Sequence, residues 1–204
     1  MSALRLFGVA AAEGGSPAPL PEGVQLVPFR DLAAVVMEEP SLPAVSSTNG
    51  LDSHLGVVAG ISASRPIVPA PVGVVFQSRD VMTRWLELHY VALSEGLAFV
   101  EGRVEARVHM RHREPHVLEE TQADLAAVAT ESFRQLRRHA VAALPVKTSH
   151  QPDELLSGAF LVEEDRWQSF TDAVGEEEAR QGILHLQMTG PWPPFDFVRM
   201  QFGG

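Results

Sequence analysis

The 204-residue chain contains no cysteine, which excludes disulfide bonds, thiolate metal sites and cysteine nucleophiles. It also lacks any uncharged apolar stretch near the ~20 residues that a helix needs to cross a bilayer. The first twelve residues carry a single Arg5 and a short apolar run, without the basic start and long apolar core of a signal peptide. These absences favour a soluble, cytoplasmic protein.

Positive charge is also scarce in this sequence. The 16 Lys and Arg residues face 26 Asp and Glu residues, for a formal net charge of -10. Such a balance opposes the attraction to phosphates that drives nucleic-acid binding. The hydrophobic content of 45% is ordinary for a buried core. We therefore expect a globular protein of one large or two small domains that does not bind nucleic acid.

Nucleotide-binding and hydrolase motifs are absent from the sequence. Neither the G-x-x-x-x-G-K-[ST] loop nor G-x-G-x-x-G occurs, and there is no G-x-S-x-G. Asp52, Ser53 and His54 are the residue types of a catalytic triad, but adjacent residues cannot form its hydrogen-bonded line, and a polar helix start is the preferred interpretation. We predict no catalytic residues and no enzymatic activity.

Three histidines form the one cluster with metal-ligating residue types. His109, His112 and His116 lie near Glu114 in a short tract. On a strand, positions 109 and 112 point to opposite faces, and Pro115 interrupts the segment. A solvated strand end is therefore the preferred interpretation, and no metal site or cofactor is predicted.

Short strands and two helices are predicted in the first half of the chain. Strands are expected at Leu4 to Val9, at Val24 to Val27 before an interruption at Pro28, and at Gly73 to Phe76. The segment Leu32 to Met37 favours a strand, although its alanines also permit a helix. A short helix is expected from Leu51 to Gly60.

One long helix should follow the strand at Gly73 to Phe76. Ser78 or Asp80 is the predicted cap, the apolar stripe runs from Met82 to Leu97, and Gly96 and Gly102 mark the end. The first domain is thus predicted to be a mixed α+β unit of residues 1–100.

A different order of elements is predicted in the second half. Val104 to Met110 alternates as a strand with one buried face, and a helix begins near Thr121 and Asp124 and ends at Pro145. Two strands, a second helix and a final strand follow: Val146 to Ser149, Leu155 to Val162 across a turn at Gln151 to Asp153, a helix from Asp165 to Gly175, and Ile183 to Met188. This β, α, β, β, α, β order predicts a ferredoxin-like sandwich in a domain of residues 101–204.

The stretch from Thr189 to Val198 combines three prolines with three aromatic residues. Prolines stiffen an extended strap, and its rings must either pack on the domain or face a partner. Packing within the chain, as a structural clasp, is the preferred interpretation, and partner binding is the alternative. The candidate residues are Gly190, Pro191, Trp192, Pro193, Pro194, Phe195 and Phe197.

This strap resembles the G-P-W-P-P-[YF]-x-F-V signature near the end of the gas-vesicle F/L (GvpF/GvpL) family. Other segments resemble the family in the same order: Leu6 to Val9, Leu32 to Met37, His54 with Val57-Val58, Pro69 to Phe76, and Glu101 to Val108. The chain departs from the family where Pro71 and Val72 replace Arg-Phe and Val74 replaces Thr.

The resemblance implies two α+β domains, the second a modified ferredoxin-like fold. It also implies an accessory protein of gas vesicle formation, located in the cytoplasm and at the gas vesicle. The partners it implies are the small hydrophobic shell protein and other accessory proteins. A small-molecule-binding or regulatory ferredoxin-like module is the alternative function, and a hydrolase that uses His54 is a third.

Overall fold

The computed structural model describes residues 3–13, 20–39, 48–113, 122–147 and 154–198. The chain divides into two compact units, Met1–Glu101 with Pro193–Gly204, and Gly102–Trp192. The segment that starts at Pro193 therefore groups with the first unit, whereas the sequence analysis assigned it to the second domain. The physical reason is that Phe195 and Val198 pack against apolar clusters of the first unit.

The first unit is built on an antiparallel sheet with the strand order β2-β3-β1-β4, in which β5 also pairs with β1. Its strands are β1 (Ala3–Ala11), β2 (Val24–Phe29), β3 (Leu32–Glu39), β4 (Ile67–Pro69) and β5 (Val75–Phe76). The segment from Leu32 is thus a strand, and β2 continues through Pro28, contrary to the predicted interruption. Because β2 is an edge strand, a residue without an N–H is tolerated there.

Helices cover both faces of this sheet. α1 (Thr48–Ser62) packs on one face around Phe7 and Val35, and α2 (Arg79–Leu88) with α3 (Tyr90–Val100) pack on the other around Leu6 and Val36. Strands buried on both faces read as nearly continuous apolar runs. This explains why β1 and β3 lack the alternation of a half-exposed strand.

The prediction of one long helix is wrong, because the chain breaks between α2 and α3 at His89. That residue has φ -104° and ψ 9°, and its Nδ1 donates to the carbonyl oxygen of Trp85 over 2.8 Å. A side chain that bonds to its own helix's backbone offers an alternative to continuing the helix. Ser78, rather than Asp80, is the cap of α2, since its hydroxyl accepts from the N–H of Val81.

The second unit has the predicted ferredoxin-like order. Its elements are β6 (Arg103–His112), α4 (Gln122–Arg137), β7 (Ala142–Val146), β8 (Glu154–Glu163), a 3₁₀ turn (Glu164–Arg166), α5 (Trp167–Gln181) and β9 (Leu184–Trp192). The sheet is antiparallel with the order β7-β8-β6-β9. Both helices pack with Ala106, Val108 and Met110 of β6 in one apolar core.

Three boundaries in this unit differ from the predictions. α4 ends at Arg137, and Pro145 lies inside β7, an edge strand that tolerates proline. α5 runs through Gly175 and ends before Gly182, which has φ 66°. A glycine at a positive φ is the usual residue just after a helix. The predicted cap at Thr121 and the turn from Gln151 to Asp153 lie outside the described residues.

Candidate functional site

The terminal signature starts at the end of β9, beside an irregularity in its pairing with β6. Trp192 is opposite Glu105 and Thr189 is opposite Arg107, so the β9 segment is longer than the β6 segment that it faces. Gly190 lies in this bulge with φ 127°, and its peptide bond to Pro191 is cis. The bulge thereby directs the residues that follow away from the ladder.

Gly190 also allows two neighbours to approach its backbone closely. A Cβ atom at this position would lie 2.8 Å from the carbonyl oxygen of Glu105 and 2.9 Å from Cη2 of Trp167 on α5. Both distances are shorter than a carbon atom tolerates, and the positive φ also disfavours side chains. Only glycine fits this position without a shift of the backbone or of the Trp167 ring.

Trp192 is 44% exposed, although the sequence analysis favoured a packed ring for it. Its Nε1 donates to the hydroxyl oxygen of Thr189 over 3.1 Å. This short-range bond satisfies the polar edge of the indole while much of the ring faces solvent. Trp192 therefore contributes less burial than a fully packed tryptophan.

The rest of the signature turns toward the core of the first unit. Pro193 and Pro194 are buried, and the N–H of Phe195 donates to the carbonyl oxygen of Pro193 over 2.7 Å. Phe195 packs against the cluster under α1, and Val198 packs against the cluster under α2 and α3. The signature's second half is thus the part that contributes apolar packing.

Gly96 lies beside Val198, within α3 rather than at its end as predicted. A Cβ atom at Gly96 would lie 3.1 Å from Val198 and 3.2 Å from Val68. The glycine therefore provides room for the terminal segment.

His54 is 1% exposed on α1, and its Nε2 donates to the carbonyl oxygen of Ala70 over 2.9 Å. Its Nδ1 has no hydrogen-bond partner among the described residues, and its ring lies 5.3 Å from that of Phe7. Burial lowers the pKa of His54, and the positive charge of Arg5 acts in the same direction. The adjacent Asp52 and Ser53 are exposed, so the three residues do not form a triad.

Lowering the pH is therefore expected to destabilise the fold through His54. Its folded pKa lies below the ordinary value of about 6.5, so the stability given by the neutral ring is complete above that pH and is lost as the pH falls below it. The loss for one proton is at most about 1.4 kcal/mol per pH unit. His54→Gln keeps an N–H donor but does not titrate, so its melting temperature should fall less between pH 7.5 and 5.5. Equal falls would contradict this assignment.

His109 contacts two neighbours of the second unit through one ring nitrogen. Its Nδ1 donates to the Glu154 carboxylate over 2.9 Å and lies 2.7 Å from Oγ of Ser157. A catalytic triad uses the two different ring nitrogens for acid and nucleophile, so this arrangement is not one. His112 lies at the end of β6, while Glu114 and His116 fall outside the described residues. Within the described ranges, no three His, Asp or Glu side chains gather as a metal site.

The sequence analysis missed an apolar surface at the junction of α2 and α3. Leu88 is 77% exposed and Val91 is 65% exposed, on either side of His89; these two residues are the α2–α3 corner. The signal was available, because Glu95 is the one charged residue in α3 and a helix that is apolar all round normally packs on two sides. No helix in the described part of the chain is long and apolar enough to span a membrane.

The sequence profile described as "Gas vesicle synthesis protein GvpL/GvpF" matches residues 5–124 and 116–199. The chain belongs to the GvpL/GvpF family. This confirms the resemblance drawn from the terminal signature. The GvpL/GvpF family is not a known class of enzymes, and membership implies a role in gas vesicle formation.

Relatives and solved structures agree with this assignment to GvpL/GvpF. Gas vesicle protein F2 of Halobacterium salinarum is 27% identical over 181 residues, which cover 87% of this chain and 81% of that protein. Gas vesicle protein F of Haloferax mediterranei is 24% identical over 208 residues, which cover 98% and 89%.

Two crystal structures share the fold. GvpF from Anabaena sp. PCC7120 has a TM-score of 0.78 and 17% identity, with 100% of this chain and 99% of that chain covered. GvpF from Microcystis aeruginosa has a TM-score of 0.72 and 14% identity, with 97% and 99% covered.

Proposed function

We propose that the protein is an accessory protein of gas vesicle formation that binds the small hydrophobic shell protein and other accessory proteins. Its place of action is the cytoplasm and the forming vesicle. Membership in the GvpL/GvpF family supports the role in formation. The observation that carries the binding part is the α2–α3 corner, where two large apolar side chains face solvent.

Apolar side chains at such a corner favour a partner with an apolar surface. Burial of apolar area stabilises a complex by roughly 25 cal/mol per Å². Leu88 and Val91 have the two largest exposed fractions among the large hydrophobic side chains of the described residues. Their neighbours Glu87 and Ala92 are also exposed, which gives the apolar pair a partly polar border, as at many protein interfaces. We assign the corner to contact with the hydrophobic shell protein.

The proposal for the terminal signature is a structural clasp rather than a docking motif. Phe195 and Val198 supply packing in the first unit, and the adjacent prolines restrict the unfolded chain. Loss of the clasp would remove partner binding indirectly, by lowering the population of the folded protein.

Co-purification with the shell protein tests the assigned contact. The double variant Leu88→Glu with Val91→Glu is expected to reduce recovery of the shell protein at least tenfold, because two charges replace the apolar contact. Its melting temperature should stay unchanged, since both side chains are exposed. Leu55→Glu on α1, a similar change at another exposed leucine, is the matched control and should leave recovery intact.

Equal recovery by wild type and the double variant would contradict the assignment of the corner. A ligand-dependent rise in melting temperature, with no protein partner recovered, would instead favour the small-molecule-binding alternative.

A further inference from the structure

The outward face of α1 is apolar and exposed. Leu51 is 44% exposed and Leu55 is 38% exposed, and Gly56, Ala59 and Gly60 on the same side are exposed as well. Asp52 is the one charged residue in α1. The opposite side of the helix packs on the sheet through Val57, Val58 and Ile61.

This composition is unusual for the outward side of a helix. A helix with one solvated face normally carries charged and polar residues there. The helices of the second unit follow that rule, with exposed Arg134, Arg137 and Arg138 on α4 and exposed Glu176 and Arg180 on α5. The outward face of α1 has the composition of a buried face.

The shape of this face is complementary to itself. Leu51, Leu55 and Ala59 follow one another at intervals of four residues and form a ridge. The neighbouring row contains Gly56 and Gly60, where an added Cβ atom would meet nothing within 4 Å. Ridges of this i±4n type pack into the grooves of a second helix. One copy therefore presents both the protruding leucines and the groove that accepts them.

We propose that two copies of the chain associate through α1, with the helices antiparallel and the two-fold axis near Leu55 and Gly56. A two-fold interface requires such a self-complementary patch. The single charge sets the orientation: a parallel pair would bring the two Asp52 carboxylates together, whereas an antiparallel pair places each one near Gly60 of the other copy. Antiparallel helix dipoles act in the same direction. The proposal goes beyond the function in gas vesicle formation and does not rest on it.

The dimer should be weak. One helix pair buries less than the roughly 800 Å² per partner of a standard interface, so we expect a dissociation constant in the micromolar range or above. Sedimentation velocity over a wide range of protein concentrations measures it directly. Leu55→Glu should weaken the dimer at least about tenfold, because the changed side chain enters the symmetric interface twice.

Two controls separate this interface from other effects. Leu88→Glu changes a more exposed leucine on the other side of the first unit and should leave the dimer unchanged. The melting temperature of Leu55→Glu should equal that of the wild type, since the residue is partly exposed and packs on no core cluster. A wild-type chain that stays monomeric at every concentration, or a dimer insensitive to Leu55→Glu, would overturn the proposal.

The absence of cysteine from the natural chain allows the orientation to be tested by cross-linking. A mixture of Asp52→Cys and Gly60→Cys proteins should form a mixed disulfide-linked dimer under mild oxidation, in excess over either variant alone. Efficient self-linking of Asp52→Cys would indicate a parallel pair and overturn the proposed geometry. If Leu55→Glu instead abolishes binding of the shell protein to a monomeric wild type, the face belongs to that partner and the dimer proposal is wrong.

Discussion

Replacing Gly190 with alanine is expected to lower the free energy of unfolding by about 3 kcal/mol or more. The positive φ costs an alanine about 1–2 kcal/mol, and the Cβ clash with Glu105 and Trp167 adds about 1–3 kcal/mol of overpacking. Denaturant unfolding followed by tryptophan fluorescence measures the change, since Trp167 and Trp192 lie next to the altered position.

A second glycine of the same unit provides the matched control. Gly175 lies inside α5, is exposed, and an added Cβ atom meets nothing within 4 Å. Alanine is a better helix former by about 0.5–1 kcal/mol, so Gly175→Ala should stabilise the protein. If Gly190→Ala were as harmless as Gly175→Ala, the packing described at the bulge would be wrong.

Phe195→Ala is expected to destabilise the protein more than Trp192→Ala, by about 2–4 kcal/mol against about 1–2 kcal/mol. Full truncation of a buried Phe or Trp costs roughly 3–5 kcal/mol, and both values are reduced in proportion to exposure. Phe195 packs on the cluster under α1, whereas Trp192 is 44% exposed. The smaller aromatic ring therefore has the larger effect.

The same two variants separate a clasp from a docking motif. A clasp predicts that binding of the shell protein declines in step with the fraction of folded protein, most strongly for Phe195→Ala. A docking motif predicts that Trp192→Ala abolishes binding while the melting temperature stays the same. The second pattern would refute the clasp.

Sequence patterns predicted the architecture where a periodicity belongs to one element. The alternation from Val104 to Met110 and the helical stripe that includes Ala129 and Leu136 gave the order of the second unit, because each pattern records a single buried face. The terminal signature gave the family, because several prolines and aromatics at fixed spacing rarely recur by chance.

Features that depend on three-dimensional contacts were not predicted. The helix break at His89 leaves the apolar spacing from Met82 to Leu97 nearly intact, so periodicity does not detect it. Exposure of Trp192 follows from the bulge in the pairing of β9 with β6, which composition does not encode. Leu88 was overlooked because attention to the buried stripe passes over apolar residues on the other side of the helix.

Deletion of the gene in its native host tests the central claim most directly. Electron microscopy would count gas vesicles per cell in the wild type, in the deletion strain and in a strain complemented with the intact gene. A role in gas vesicle formation predicts that vesicles are lost on deletion and restored by the intact gene. The double variant Leu88→Glu with Val91→Glu should fail to restore them. A deletion strain with normal numbers of normally shaped vesicles would contradict the account.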